Sequence, residues 1–193
     1  MKNNMKKNVL ILFLVCFCIL AEAQGRRKNQ SAVHAEYGYV MEKGDLSAGF
    51  MVKGGYSKVF GEKGFLGKVE GFYQDYEVSY LDSQILPYQK YGLNVNAGYS
   101  YEGLAPIYVN GWLGGYAGYE TVNDGNSKDP KYNAEIPVPV KGFVYGISGS
   151  AEIEFAFARK FSFLANYTQF YDLKSEFSKS TYGLFGGFRY YIN

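Results

Sequence analysis

Cysteine, histidine and long apolar runs are scarce in this chain of 193 residues. The two cysteines, Cys16 and Cys18, both lie in the N-terminal segment, and the only histidine is His34. Beyond that segment, no stretch approaches the roughly 18 apolar residues expected of a spanning helix. The remainder of the chain therefore has no candidate for a catalytic Cys–His pair or for a zinc site built from several Cys and His ligands.

The N-terminal segment predicts export from the cytoplasm. Lysines precede an apolar core at positions 9–20, and Ala21-Glu22-Ala23 matches a signal-peptidase site. We predict that residues 1–23 are a cleaved signal peptide and that residues 24–193 form a single exported domain. An uncleaved membrane anchor is the alternative.

The predicted mature chain carries no excess of either charge. Removing residues 1–23 takes three lysines and one glutamate from the 20 basic and 18 acidic residues, which leaves 17 of each. Direct nucleic-acid binding is therefore not expected, because it requires a basic excess gathered on one face. The 24 glycines and 20 tyrosines all lie in the mature chain, and this enrichment favours a curved β-sheet with aromatic rims.

Side chains alternate between apolar and polar in residues 146–157. One parity carries Ile147, Ala151, Ile153, Phe155 and Phe157, and the other carries Ser148, Ser150, Glu152 and Glu154. A strand sends successive side chains to opposite faces, so this segment has one apolar and one charged face. Such a strand occurs in a soluble sandwich and also in a membrane barrel that faces lipid outside and a polar lumen inside.

The same alternation predicts eight strands and no competing helical period. The predicted strands are 33–42, 46–60, 65–79, 88–101, 106–121, 142–157, 160–172 and 180–192. Phe72, Leu164 and Phe170 interrupt the pattern by falling on the polar parity. The strands exceed the roughly 9–11 residues that a tilted strand needs to cross a bilayer.

The connections between these strands decide between the two folds. The connections expected on the periplasmic side are short, at 61–64, 102–105 and 158–159. The opposite side has the connections 81–87, 122–141 and 173–179, and only 43–45 is tight there. A soluble sandwich gives no reason for this sorting, whereas outer-membrane barrels have short periplasmic turns and longer external loops. We therefore predict an all-β fold, an eight-stranded antiparallel transmembrane β-barrel of the outer-membrane type.

The charged residues on the polar parity are expected to face the lumen. They are Glu36, Lys53, Lys68, Glu70, Lys90, Glu120, Glu152, Glu154 and Arg189. Side chains fill the interior of an eight-stranded barrel, so buried charges there must be paired. We expect Glu152 and Glu154 to pair with bases on neighbouring strands rather than to act as catalytic carboxylates. Arg189 could also meet Glu36, since the first and last strands are neighbours in a closed barrel.

No residue pattern predicts enzymatic chemistry. His34 lies on the polar parity near the periplasmic end of the first strand, where a hydrogen-bonded lumen or rim residue is expected. A Ser–His lipid esterase would need this histidine beside a serine at the outer edge. We therefore predict no catalytic, cofactor-binding or metal-binding residues, no cofactor and no enzyme activity.

Three segments resemble a known family. The runs GWLGGYAGYETVNDG at 111–125, VYGISGSAEIEFAF at 144–157 and GLFGGFRYYIN at 183–193 resemble the TraO conjugal transfer proteins of Bacteroidetes conjugative transposons. The most specific part is Gly118-Tyr119-Glu120-Thr121 followed by Asn123. The similarity extends over essentially the whole mature chain.

This resemblance implies a structural component of a conjugative DNA-transfer apparatus, seated in the outer membrane with both chain termini in the periplasm. Its expected partners are outer-membrane lipid and other conjugal transfer proteins, and its oligomeric state is open. The alternative is a small outer-membrane barrel of the adhesion or defence type that has no role in conjugation.

The connection 122–141 allows two interpretations. Pro137 and Pro139 remove backbone donors from a strip that also contains the apolar residues Ile136, Val138 and Val140. The strip could be a contact surface for a partner, since loops on a rigid scaffold commonly carry binding. It could equally be a lid that packs these side chains over the barrel mouth.

Overall fold

The computed structural model describes residues 29–42, 49–60, 64–80, 84–129, 131–136, 139–175 and 179–192. The predicted signal peptide, the first residues of the predicted mature domain and residues 46–48 of the second predicted strand lie outside the described residues. Within the described ranges, no helix has the length and apolar character needed to cross a membrane.

Eight antiparallel strands close into one barrel, as the alternation predicted. Each strand pairs with the next along the chain, and the last strand pairs with the first. The strands are β1 Ser31–Glu42, β2 Gly49–Phe60, β3 Phe65–Tyr80, β4 Gln84–Leu104, β5 Ile107–Val122, β6 Lys141–Ala158, β7 Phe161–Lys174 and β8 Ser180–Tyr191. A 3-10 turn, Asn123–Gly125, follows β5. Closure leaves no sheet edge along the barrel wall, which is the condition for strands to span lipid.

The two faces of the sheet differ as expected for lipid outside and a filled, polar interior. In β6, Ser148, Glu152 and Glu154 are buried in the lumen, while Ile147 and Ile153 are about half exposed on the outside. All nine charged residues predicted for the lumen are at most 4 % exposed. The polarity is thus inverted relative to a soluble protein, and this inversion favours a membrane environment.

The barrel has two unlike ends. At the end where β1 begins and β8 ends, here called the terminal end, β4–β5 and β6–β7 are joined by two-residue turns, 105–106 and 159–160. The opposite end, here called the loop end, carries the connection 123–140 between β5 and β6. The connection 123–140 agrees with the predicted asymmetry, whereas the β3–β4 connection at the loop end, 81–83, is shorter than predicted and no longer than 61–64 at the terminal end.

β4 begins earlier than predicted. The sequence suggested a connection over 81–87, but Gln84–Pro87 extends the ladder with β3, where Pro87 lies opposite Glu77. Pairing of β4 with β5 starts only at Tyr88, so Pro87 lies where β4 has a partner on one side alone. A proline is tolerated at such an edge because its missing backbone donor is not required there.

The glycines of β5 fall into two groups. A Cβ atom at Gly114 or Gly118 would lie 2.1–2.2 Å from a carbonyl oxygen of β4, so the glycines at these positions relieve crowding. A Cβ atom at Gly111 would meet nothing within 4 Å, and one at Gly115 only an atom 3.5 Å away. The crowding explanation therefore applies to the inward-facing glycines and not to the outward-facing ones.

Candidate functional site: the filled lumen and its cap

Arg189 lies at the centre of a charged cluster in the terminal half of the lumen. Its Nη2 atom is 2.9 Å from Glu152 Oε1, and its Nη1 atom pairs with Glu154 Oε2. Asn110 donates a hydrogen bond to Glu152 Oε1 at 2.7 Å, and the Tyr191 hydroxyl donates to Glu154. The three charged side chains are at most 2 % exposed, so each ion depends on these partners in place of water.

Two lysine–glutamate pairs complete this cluster. Lys53 Nζ lies 3.1 Å from Glu36 Oε2, and Lys68 Nζ lies 2.9 Å from Glu70 Oε1. His34 Nε2 is 3.0 Å from the same Glu70 oxygen. Side-chain amides supply further hydrogen bonds to the two carboxylates, from Asn94, Asn96 and Asn166. The expected pairing of lumen acids with bases is confirmed for these carboxylates and for Glu152 and Glu154, and His34 is a hydrogen-bonded lumen residue. The prediction that the bases lie on neighbouring strands is wrong for the last two acids, because Arg189 lies on β8 and the neighbours of β6 are β5 and β7.

Arg189 does not pair with Glu36, the contact that adjacency of the first and last strands had suggested. The register of β1 and β8 places His34 opposite Arg189, two residues away from Glu36. The guanidinium group instead reaches the carboxylates of β6, while Glu36 takes its cation from Lys53 of β2. The arginine side chain is long enough to reach partners across the lumen as well as on the neighbouring strand.

An apolar layer divides the lumen at mid-height. Its members are Val40, Met51, Phe72, Tyr116, Phe170 and Phe185. The rings of Phe72 and Tyr116 meet edge-to-face with centroids 6.0 Å apart, and those of Tyr116 and Phe170 do so at 5.6 Å. The apparent interruptions at Phe72 and Phe170 are therefore part of the interior packing and do not break the strand pattern.

A second set of polar contacts lies on the loop side of this layer. Lys90 Nζ is 2.7 Å from Asp172 Oδ1, to which the Tyr116 hydroxyl also donates at 2.6 Å. The Tyr88 hydroxyl donates to Glu120 Oε2 at 2.6 Å. Asp172 was missing from the predicted lumen list, because the seventh predicted strand ended at this residue and its polarity resembled the start of a connection.

The connection between β5 and β6 folds back over the loop end. Ile136 and Val140 are 6 % and 8 % exposed and belong to an apolar cluster, here called the cap, with Tyr76, Leu86, Tyr88 and Val122. The Val122 backbone N–H donates to the Val140 carbonyl oxygen at 2.7 Å. The lid interpretation therefore holds for Ile136 and Val140, whereas Pro137 and Val138 lie outside the described residues.

A tight hairpin rises above the cap. Asp129 Oδ1 accepts hydrogen bonds from the backbone N–H groups of Lys131 and Tyr132 at 2.7 and 3.2 Å. Asn123 Nδ2 donates to two backbone carbonyls of the same connection at 2.9 and 2.8 Å. Residues 131–135, here called the loop apex, are exposed, and Tyr132 is 66 % exposed. The connection thus has a buried base and an exposed tip whose backbone is held by hydrogen bonds within the connection.

One group of lumen side chains has donor spacing that could suit a metal ion. The possible ligand atoms of His34, Glu36 and Glu70 all lie within 4.8 Å of one another. The ammonium groups of Lys53 and Lys68 lie against the two carboxylates, however, and would repel a divalent cation placed among them. We interpret the group as an ion-pair network. The absence of catalytic, cofactor and metal residues stays a prediction.

Comparison with known proteins gives matches at the level of structure alone. No family model matches the chain, and no curated protein matches its sequence. The fold is similar to Neisserial surface protein A (NspA), with a TM-score of 0.57, 13 % identity and coverage of 86 % of this chain and 99 % of NspA. It is equally similar to OprG of Pseudomonas aeruginosa, with a TM-score of 0.57, 10 % identity and coverage of 88 % and 98 %.

The fold is that of a small outer-membrane β-barrel. A further match, to Ail of Yersinia pestis, covers 86 % of this chain and 99 % of Ail at 16 % identity, with a TM-score of 0.48. The matches to NspA and OprG show a shared architecture, and at identities this low they do not transfer activities. The fold implies a lipid environment for the outer face. Membership of the TraO family, which no match addresses, stays a prediction.

Proposed function

We propose that this chain is a surface-exposed outer-membrane barrel that acts through contacts made at its loop end and does not conduct solutes. The observation that carries the proposal is the filled lumen, where two charged regions are separated by a layer of aromatic and aliphatic side chains and covered by the cap. An ion crossing this interior would have to displace paired charges and then pass a dry layer, which is strongly unfavourable.

Conductance measurements test the closed interior. The purified barrel, shown to be folded by its altered gel mobility without heating, should give no steady channels in planar lipid bilayers. A reproducible open channel from the folded protein would contradict the proposal.

The unequal ends support an orientation with the loop end outside the cell and the termini in the periplasm. Labelling of cysteine variants tests this orientation, because the sequence has no cysteine beyond Cys18. In intact cells, a membrane-impermeant maleimide should label Tyr132→Cys in the loop apex. Lys160→Cys, in the turn between β6 and β7, is the matched control and should react only after the outer membrane is permeabilised. The reverse pattern would refute the orientation.

The loop apex is the part of the described surface best suited to contact another molecule. Two of its backbone N–H groups donate to Asp129, and Asn123 holds the segment that precedes it, so little conformational entropy is lost when the exposed side chains of the apex bind. Tyr132 adds a large, rigid contact area, a property that favours tyrosine in recognition loops. These features support the adhesion or defence type of function, and the comparison protein NspA is itself named a surface protein.

Replacement of the loop apex tests this contact role. Cells that display a barrel with residues 131–135 changed to Gly and Ser should associate less with a second labelled bacterial population, measured by flow cytometry. A barrel with the turn 159–160 changed in the same way is the control. Unchanged association with a normally assembled apex variant would exclude the apex as the contact.

Participation in conjugation is a second candidate, supported by the resemblance of residues 111–125, 144–157 and 183–193 to TraO proteins. These segments lie mainly in β5, β6 and β8, and the first runs into the connection that bears the loop apex. Deleting the gene from its element should lower transfer frequency, and the native gene supplied in trans should restore it. If transfer frequency is unchanged after deletion, a role in conjugation is excluded and the surface-contact function remains.

A further inference from the structure

A β-bulge near the loop end of β7 changes the face to which one lysine points. Tyr145 of β6 lies opposite Lys174, while the next residue of β6, Gly146, lies opposite Asp172, so Leu173 is the extra residue. Asp172 is buried in the lumen, and strict alternation would direct Lys174 there too. Opposed residues of an antiparallel pair share a face, however, and Tyr145 is exposed on the outside. The bulge therefore turns Lys174 outward.

The outward-facing neighbours of Lys174 form a mixed basic and apolar surface. Lys141, Phe143 and Tyr145 alternate along the outer face of β6, and all three are exposed. The Phe143 and Tyr145 rings lie with centroids 6.2 Å apart, and Leu173 is 59 % exposed on the bulge. We call these five residues the β6–β7 patch. Lys141 precedes Phe143 on the outer face of β6 and Lys174 lies opposite Tyr145, so the patch places two lysines among large apolar residues at the loop end of both strands.

The opposite wall of the barrel has the reverse charge at the same end. The outer face of β3 carries Asp75 and Glu77, and the Tyr73 hydroxyl donates to Asp75 Oδ2 at 3.1 Å. The described wall is therefore basic on the β6–β7 side and acidic on the β3 side. A uniform ring of lysines would indicate general attraction to any anionic membrane surface, whereas this asymmetry indicates one preferred place for an anionic group.

We propose that the β6–β7 patch binds a phosphate-bearing lipid of the outer leaflet. The ammonium groups of Lys141 and Lys174 pair with the headgroup phosphate, and the acyl chains lie along Phe143, Tyr145 and Leu173. Aromatic rings at the membrane interface with lysines directed toward the headgroups suit this arrangement. The assignment to the outer leaflet rests on the proposed orientation of the loop end.

Binding of lipid A, a phosphate-bearing lipid of the outer leaflet, tests the proposal directly. The folded protein is placed in phosphatidylcholine nanodiscs that contain a small fraction of phosphorylated lipid A, and retained lipid is counted by native mass spectrometry. Lys141→Gln combined with Lys174→Gln should weaken binding about ten- to thirtyfold, as expected for two lysines near an anionic lipid surface. Arg159→Gln with Lys160→Gln, at the other end of the same strands, is the matched control and should bind normally.

Further measurements identify which molecule supplies the anionic group. Dephosphorylated lipid A should bind weakly, and inorganic phosphate should not compete, because it lacks the acyl chains. Equal binding by the Lys141/Lys174 variant, equal binding of dephosphorylated lipid A, or displacement by inorganic phosphate would each overturn the proposal. So would a preference for phosphatidylglycerol over lipid A. Because lipid A is present in both leaflets of a nanodisc, failure here is distinguishable from a failed orientation test in cells.

Discussion

Removal of the Arg189 guanidinium group should cost more stability than any surface substitution in this barrel. Arg189 is the partner of both Glu152 and Glu154, and the two carboxylates have side-chain exposures of 0 %. In Arg189→Met the side chain keeps much of its volume but loses all of its donors. Two buried carboxylates would then lack the cation that now balances them.

The size of the effect follows from these contacts. Breaking one buried ion pair by removing a single partner costs about 3–5 kcal/mol. Two carboxylates lose their cation here, but Asn110 still donates to Glu152 and Tyr191 still donates to Glu154. Hydrogen bonds to a charged group contribute about 1.5–3 kcal/mol each. Because these donors are retained, we expect the free energy of unfolding to fall by about 3–5 kcal/mol, although both Glu152 and Glu154 lose their cation.

Urea titration in lipid vesicles measures this loss. The only tryptophan, Trp112, is 4 % exposed in the lumen and reports unfolding by its fluorescence. Arg159→Met, in an exposed turn, is the control and should change the free energy by less than about 0.5 kcal/mol.

A triple variant separates charge from packing. Arg189→Met combined with Glu152→Gln and Glu154→Gln should recover most of the loss, because replacing a whole buried ion group by neutral residues is often neutral in stability. If Arg189→Met were as stable as the native barrel, the lumen ions would have to be solvated and the interior could not be filled. If the triple variant were no more stable than Arg189→Met, lost packing would explain the effect and charge pairing would not.

Two further substitutions test other parts of the fold. Gly187→Ala should impair assembly, because its Cβ atom would lie 2.2 Å from the Ala35 carbonyl oxygen, whereas Gly111→Ala should assemble normally, because nothing lies within 4 Å of that position. Gel mobility without heating compares the two variants, and equal assembly would refute the crowding argument. Ile136→Ser should leave the barrel folded but speed proteolysis of the connection above it, since Ile136 anchors the cap. Unchanged proteolysis would show that the connection is held by other contacts.

The barrel and its polarity could be predicted because both depend on a local pattern. Alternation with a period of two is readable within one strand, and a closed sheet with a polar lumen applies the same rule to every strand. For this reason the lumen position of Glu36, Lys53, Lys68 and the other predicted lumen charges followed without knowledge of any contact.

Apart from Lys68 and Glu70, which lie two residues apart on β3, the individual partners could not be predicted, because they are fixed between different strands and not within one. Lys90 and Asp172 are 82 residues apart, and Asn166 and Glu36 are 130 residues apart. Which long side chain reaches which carboxylate depends on strand tilt and register, neither of which the alternation specifies. The direction of Lys174 could not be predicted for a different reason, since it lies beyond the predicted seventh strand and follows a bulge, which inserts one residue and reverses the parity.

The layered interior restricts where a function can reside. Near the terminal end the interior contains Val59, Leu66 and Trp112, the aromatic layer lies at mid-height, and the cap closes the loop end. The aromatic layer thus separates the two charged regions, and the cap covers the one at the loop end. The burial of the charged side chains strengthens their ion pairs and keeps bulk solvent from them. Groups held in this way cannot meet a large ligand without unfolding of the wall. Recognition by this barrel must therefore use side chains outside the lumen, and the loop apex and the β6–β7 patch present such side chains at the same end of the molecule.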